Sequence, residues 1–347
     1  MALISKKKIA YPISAHLRSY LKKYRKDIYL PITYQDLLRY NNSIPLYDSK
    51  GVDTLWETVF FPQDEMQEIH FALKTIYAIM QSGGDVSVMK HLFVDRIDLC
   101  IYGNTKPFRI RMVNKINDNF DYFYIKHADA SRVYGLELED LLAPNRMRFL
   151  INAETLIEEH VVGIPGEQFI RTRLEDLDLN KIRLTKEFVK FNERCFVRLL
   201  GDMHSSNFVI DITPDFEEIS YRLRAIDFDQ QSYEGRKAIY LPKYFKENNP
   251  IINLGFGLMT PETVQQYQRE ERSLMANRVK SSQGQINELI ATMKMDPIAP
   301  IENVKSLGKE LSAFYEDKDF LKCSSMGSLI ERSLLMLFIK PDLYKER

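Results

Sequence analysis

Leu199-Leu200-Gly201-Asp202-Met203-His204-Ser205-Ser206-Asn207-Phe208-Val209-Ile210 is the stretch on which the fold turns, together with Ala225-Ile226-Asp227-Phe228-Asp229 downstream. The polar residues 201–207 interrupt apolar sequence on both sides. Upstream, residues 186–200 have helical spacing, with Phe188, Val189, Cys195, Phe196 and Leu199 inward and Thr185 as the expected cap. Downstream, Phe208 to Asp211 and Ile219 to Ile226 read as two short strands joined by a loop holding Pro214 and Asp215. The order helix, polar loop, strand, turn, strand, acidic loop brings Asp202, Asn207 and Asp227 to adjacent loop ends of one small hairpin.

Such a set suits phosphoryl transfer. One carboxylate must orient an acceptor hydroxyl and take its proton. Hard oxygen donors must hold Mg²⁺ against nucleotide phosphates, and an Asn carbonyl with an Asp carboxylate supplies them. Positioning and charge neutralisation do the rest. Asp229 is either a second acid near the metal or a turn residue.

Further upstream, Met66, Ile69, Leu73, Ile76 and Met80 have helical spacing behind Asp64, an expected N-cap, and Ser82-Gly83-Gly84 ends the run. Trp56 and His70 read as packing residues of this region. Residues 97–102 and 108–113 alternate with period two around Gly103-Asn104-Thr105-Lys106, a hairpin turn signal. Residues 121–126 supply a third strand and residues 131–142 a short helix before Pro144. Residues 148–151 and 155–162 form two more strands about Asn152-Ala153. Gly163-Ile164-Pro165-Gly166 reads as a hinge, and residues 260–340 read as helices with a break at Pro297 and Pro300.

D-x-H-x-x-N followed by a strand, a turn and I-D-F resembles the protein-kinase-like superfamily, in its small-molecule branch of aminoglycoside phosphotransferases and choline-kinase-like enzymes. The resemblance spans residues 92 to 235. It implies a two-lobed α+β fold with a small antiparallel-sheet N-lobe and a mainly helical C-lobe. It also implies ATP and Mg²⁺ as cofactors and a hydroxyl-bearing acceptor, a small molecule before a protein. By resemblance Asp202 is the catalytic base and His204 structures its loop. Asn207 and Asp227 are metal ligands, with Asp229 beside them. Lys126 is the third-strand lysine that contacts the phosphates, and Glu137, or Glu139 close behind, is its partner. Glu158, Glu159 and His160 form the segment whose backbone would bond adenine. The expected domains are a helical N-terminal extension over 1–85, the N-lobe over 86–163 and the C-lobe over 164–347.

The chain departs from the family pattern in four places, one of them Leu200, which sits where many relatives carry a His before Gly-Asp. The first hairpin turn carries one glycine rather than a glycine-rich loop, with Lys106 as a substitute for backbone donors. Asp227-Phe228-Asp229 lacks a final glycine. No activation-loop segment follows it. Two alternatives therefore stand beside the kinase: a nucleotide-binding pseudokinase or interaction module, and a metallohydrolase using Asp202, His204, Asp227 and Asp229.

Composition bounds the rest. The 347 residues hold 48 Lys+Arg and 48 Asp+Glu, so the net charge is zero and gives no global case for nucleic-acid binding. The basic run from Lys6 to Lys26 reads as a solvated helical face and a loose terminus. Cys100, Cys195 and Cys323 match neither a metal pattern nor a disulfide framework, so a reducing, cytoplasmic setting is expected. No stretch has the length of a membrane span, and the start lacks the apolar segment of a signal peptide.

Overall fold

The structure, a computed structural model, describes residues 8–102, 105–214 and 219–343. Gly103, Asn104, Asp215, Lys6 and Lys7 lie outside the described residues. The chain divides into two compact units. One is built on an antiparallel sheet and the other is mainly helical, which is the α+β division expected.

The sheet unit comprises residues 18–129 and 147–160. Its strands are β1 (Asn42–Tyr47), β2 (Asp53–Phe60), β3 (Leu92–Cys100), β4 (Phe108–Asn114), β5 (Phe120–His127), β6 (Phe149–Asn152) and β7 (Thr155–Glu159). They pair in the order β1-β2-β3-β4-β5-β7-β6. Period-two alternation sends Phe108, Ile110 and Met112 of β4, with Phe123 and Ile125 of β5, into one core. Ile69, Leu73, Ile76 and Met80 of the helix Gln63–Ser82 belong to the same core. The opposite face of β4 carries Arg109 and Arg111. Arg109 bonds the fully buried Asp98 and lies 4.2 Å from the ring centre of Trp56.

Two local expectations change here. Residues 42–60, placed in a helical extension, form the hairpin β1–β2, and Trp56 of β2 pairs with Cys100 of β3. Pro45 and the mostly exposed residues of β1 mark an edge strand, whose apolar alternation is weak. The N-cap position of Gln63–Ser82 is Pro62, not Asp64. Asp64 sits inside the first turn, where its charge complements the helix dipole.

The helical unit comprises residues 8–17, 130–146 and 161–343 of the described chain. Its main helices are Ala130–Leu142, Lys181–Val197, Pro261–Ser281, Gln283–Met295, Ile301–Tyr315 and Met326–Ile339. The strands β8 (Ile164–Pro165), β9 (Phe208–Pro214) and β10 (Ile219–Ala225) form a small sheet in the order β10-β9-β8. Gly163–Gly166, expected as a hinge, is thus tied into this sheet by β8. A Cβ on Gly166 would stand 2.5 Å from Phe208 Cε2 and 2.6 Å from the Ser205 carbonyl oxygen, so only glycine lets the chain pass there. Lys181–Val197 is capped by Asn180, whose side chain accepts from the Arg183 amide. Thr185, the expected cap, lies a turn inside and bonds back to the Lys181 carbonyl. Among the described residues, no helix is long and apolar enough to cross a membrane.

Candidate active site

The loop after Lys181–Val197 makes a sharp, closely tied turn. Leu199 and Asp202 both take positive φ, at 52° and 62°, a region that Asp tolerates better than most residues. The buried side chains of Gln231 and Asn248 stitch the segment in place. Gln231 Nε2 donates to the Arg198 carbonyl at 2.6 Å, and Asn248 Nδ2 donates to the Met203 carbonyl at 2.9 Å. Ser206 Oγ donates to Glu167 at 2.9 Å, fixing the outer part of the loop. The Ile226 amide donates to the Asn207 carbonyl, which ties the end of β10 to the start of β9.

These ties bring Asp202, His204, Asn207, Asp227 and Asp229 together. Asn207 Nδ2 donates to the Asp202 carbonyl oxygen at 2.8 Å. With its amide nitrogen committed there, Asn207 offers its side-chain oxygen as an acceptor or ligand. Asp227 Oδ1 accepts from the Asp229 amide at 3.0 Å and from Arg132 at 2.8 Å. Its second oxygen carries no hydrogen bond among the described residues, and the side chain is 35 % exposed.

Negative charge dominates the centre. The Asp202 carboxyl is pushed up to about 7, first by burial and then by Asp227, Glu234, Glu247 and Asp229. Burial holds the His204 imidazole below its ordinary value despite the carboxylates around it. His204 is therefore neutral at pH 7, and its Nε2, 4.0 Å from Asp202 Oδ1, forms no ion pair. Its Nδ1 meets the Ser206 amide at 3.3 Å, so His204 helps to shape the loop.

The donor set fits a hard divalent cation. Asn207 and Asp227 each keep an oxygen, and carboxylates crowded enough to hold a proton near neutrality gain from a positive charge. Among the described residues, no group of three or more His, Cys, Asp or Glu side chains stands close enough to hold a metal ion by itself, so a bound cation would need the Asn207 oxygen and ligands from outside the chain.

The other predicted residues take separate partners. In the sheet unit Lys126 Nζ bonds Glu158 Oε2 at 2.6 Å, and both side chains are buried. Within the sheet unit the lysine's carboxylate is therefore Glu158, on the neighbouring strand β7. Register explains it: Lys126 pairs with Leu156 and Tyr124 with Glu158, so Glu158 lies on the lysine's face of the sheet, diagonally across from it. Glu159 accepts from the Arg148 amide, and His160 Nδ1 meets the Tyr124 hydroxyl at 3.1 Å. In the helical unit Glu137 is buried and accepts from Gln285 at 3.4 Å, while Glu139 pairs with the buried Arg198.

Arg132 is the residue that sequence reading missed. It sits in the first turn of Ala130–Leu142, 2 % exposed, with one guanidinium nitrogen 2.8 Å from Asp227 and 2.5 Å from Asp229. The available signal was an arginine beside apolar Val133 on a helix that is otherwise almost wholly buried, since a buried arginine needs a carboxylate.

No family model matches the sequence, and no curated protein matches it. Among solved structures the chain is similar to "Titin kinase and its flanking domains", at 12% identity over 70% of this chain and 54% of that chain, with a TM-score of 0.29. It therefore spans about half the length of that protein. It is also similar to the "autoinhibited serine kinase domain of the giant muscle protein titin", at 13% identity over 75% of this chain and 82% of that chain, with a TM-score of 0.27.

Proposed function

We propose that this chain is an ATP- and Mg²⁺-dependent phosphotransferase of the protein-kinase-like kind, acting on a hydroxyl of a small molecule or, as a weaker case, of a protein. One observation carries the reading. The Asn207 amide is locked on the Asp202 carbonyl, while Asp202 and Asp227 lie close enough to raise the Asp202 carboxyl toward neutrality. A carboxylate of that basicity suits a general base acting near pH 7. Asp202 would orient the acceptor hydroxyl and take its proton. Asn207 and Asp227 would hold the cation, with Asp229 beside them. When bound, Mg²⁺ supplies charge neutralisation for the transferring phosphoryl group. Lys126 is the proposed phosphate contact, and the backbone from Glu158 to His160 the proposed adenine contact. The three cysteines are free, which suits a cytoplasmic enzyme.

The test is thermal stabilisation by ATP with MgCl₂, paired with γ-phosphate loss from ATP. The wild type should be stabilised and should turn over. Asp202→Asn should keep the stabilisation and lose turnover by two or more orders of magnitude, about the worth of a general base. Absence of any ATP-dependent shift would sink the reading. The pseudokinase alternative is favoured by one feature, the Arg132 guanidinium already standing on Asp227 and Asp229. It predicts stabilisation by nucleotide with no turnover.

A further inference from the structure

Arg132 stands where the proposed cation ligands converge. Its guanidinium reaches Asp227 Oδ1 and Asp229 Oδ1 through the same nitrogen. The geometry of its helix makes this placement firm. Ser131 Oγ, one residue earlier, donates to the Gln231 carbonyl at 2.5 Å. A Cβ on Gly135, one turn later, would stand 3.0 Å from Phe228 Cβ and 3.1 Å from Gln231 Cβ. The first turn of Ala130–Leu142 therefore lies directly against residues 227–231, and glycine at 135 permits that approach. Ser131, Arg132 and Gly135 together hold the acidic loop from one side.

A side chain so buried cannot be a casual surface partner. Its charge is desolvated, and the two carboxylates are the compensation it needs. Conversely, Asp227 and Asp229 are two like charges two residues apart, in a region where Glu234, Glu247 and Asp202 add more of the same sign. Without a positive charge the loop would repel itself apart.

We propose that Arg132 is a built-in counter-cation: a positioning residue that holds Asp227 and Asp229 in place when no divalent cation is bound and weakens their affinity for one. The inference rests on the reading of Asp227 as a cation ligand. Arg132 takes one oxygen of each carboxylate and lowers the negative potential that attracts a metal ion. Occupancy of the site then depends on cation concentration, because a bound ion must share carboxylates that the guanidinium already stabilises. The loop in turn stays folded without metal.

The test needs no turnover. Thermal unfolding of the full chain is followed against MgCl₂ concentration, without nucleotide, for the wild type, Arg132→Gln and Arg132→Lys. In metal-free buffer Arg132→Gln should melt below the wild type, and MgCl₂ should recover most of the loss. Its half-maximal shift should come at a MgCl₂ concentration about ten-fold lower than for the wild type, because one positive charge has left the site. Arg132→Lys, which keeps a positive charge where one nitrogen serves both carboxylates, should keep the wild-type half-maximal concentration. If Arg132→Gln does not fold, Arg132→Lys decides alone: a half-maximal concentration about ten-fold below the wild type, despite the retained charge, overturns the proposal. Equal responses of wild type and Arg132→Gln overturn it while leaving the cation reading intact. No response to MgCl₂ in any variant overturns both. ATP-dependent stabilisation of the wild type shows separately whether nucleotide binding survives.

Discussion

Two buried cations in this molecule meet carboxylates in different proportions. In the sheet unit one ammonium meets one carboxylate: Lys126 stands 2.6 Å from Glu158. In the helical unit one guanidinium meets two, Asp227 and Asp229, with Asp202, Glu234 and Glu247 acting on the same region. The first pair is balanced and nearly sealed. The second is short of positive charge and partly open, with Asp227 35 % and Asp229 23 % exposed. A matched buried pair stabilises by being complete, whereas a deficit open to solvent creates demand for another cation. The difference sets what each group loses when one partner goes: a complete pair is harmed most by being split, whereas an open surplus of carboxylates can be met by another cation.

The sharpest way to break the comparison is to unbalance the matched pair. Lys126→Ala takes the ammonium away from the buried Glu158 carboxylate, and should cost about 3–5 kcal/mol in urea unfolding. Replacing both, Lys126→Met with Glu158→Leu, should recover most of that loss, since an apolar pair of similar volume can replace a buried ion pair. If Lys126→Ala were as stable as the wild type, the pair would not be structural, and the lysine's only role would lie in ligand binding.

Next in size is the scaffold of the unbalanced site. Asn248→Ala removes donors to the Met203 and Pro242 carbonyls, both made by a fully buried amide. The expected cost is about 3 kcal/mol, with loss of any Mg²⁺-dependent thermal shift as the loop loosens. Retention of that shift would show that the acidic groups hold their positions without this support.

These two variants also show how far the sequence could be read. The loop 201–207 and the acids at 227 and 229 are adjacent in the chain to the hairpin β9–β10, so apolar-to-polar transitions place them. Lys126 could be placed on its strand in the same way. Its partner could not, because Glu158 arrives through sheet register, which joins residues far apart in sequence. Glu137 was the expected partner because the resemblance asks for a glutamate on the helix after the lysine's strand and Glu137 lies four residues from both Val133 and Leu141; within the helical unit it accepts from Gln285. Arg132 and Asn248 escaped for a related reason: their importance comes from what packs on them, and neither belongs to a motif. The hairpin β1–β2 was invisible because an edge strand need not alternate.

A third variant should raise stability. The Asp202 carboxyl is raised in the folded protein to about 7, so the folded chain binds an extra proton relative to the unfolded one between pH 4 and 7. That contribution is complete below the ordinary carboxyl value and is lost as pH rises through about 7. Wild-type stability without metal should therefore fall across this window. Asp202→Asn should not show that fall, and at pH 8 should exceed the wild type by about 2 kcal/mol, after allowance for partial solvent exposure. Added Mg²⁺ should narrow the gap. A flat pH profile in the wild type would mean that neither burial nor the neighbouring acids raise the Asp202 carboxyl.

The smallest effects separate burial from repulsion at Asp202. Burial is the largest cause of the raised carboxyl, and Glu234 and Glu247 stand behind Asp227. Glu234→Gln and Glu247→Gln each remove one distant negative charge without touching the carboxyl's surroundings. Each should make ionised Asp202 easier to bear, by about 0.5 kcal/mol, so that the fall in stability is smaller and ends at slightly lower pH. Because these charges act through partly solvated space, 1 M NaCl should erase most of the difference between each variant and the wild type. The share that comes from burial should persist in salt.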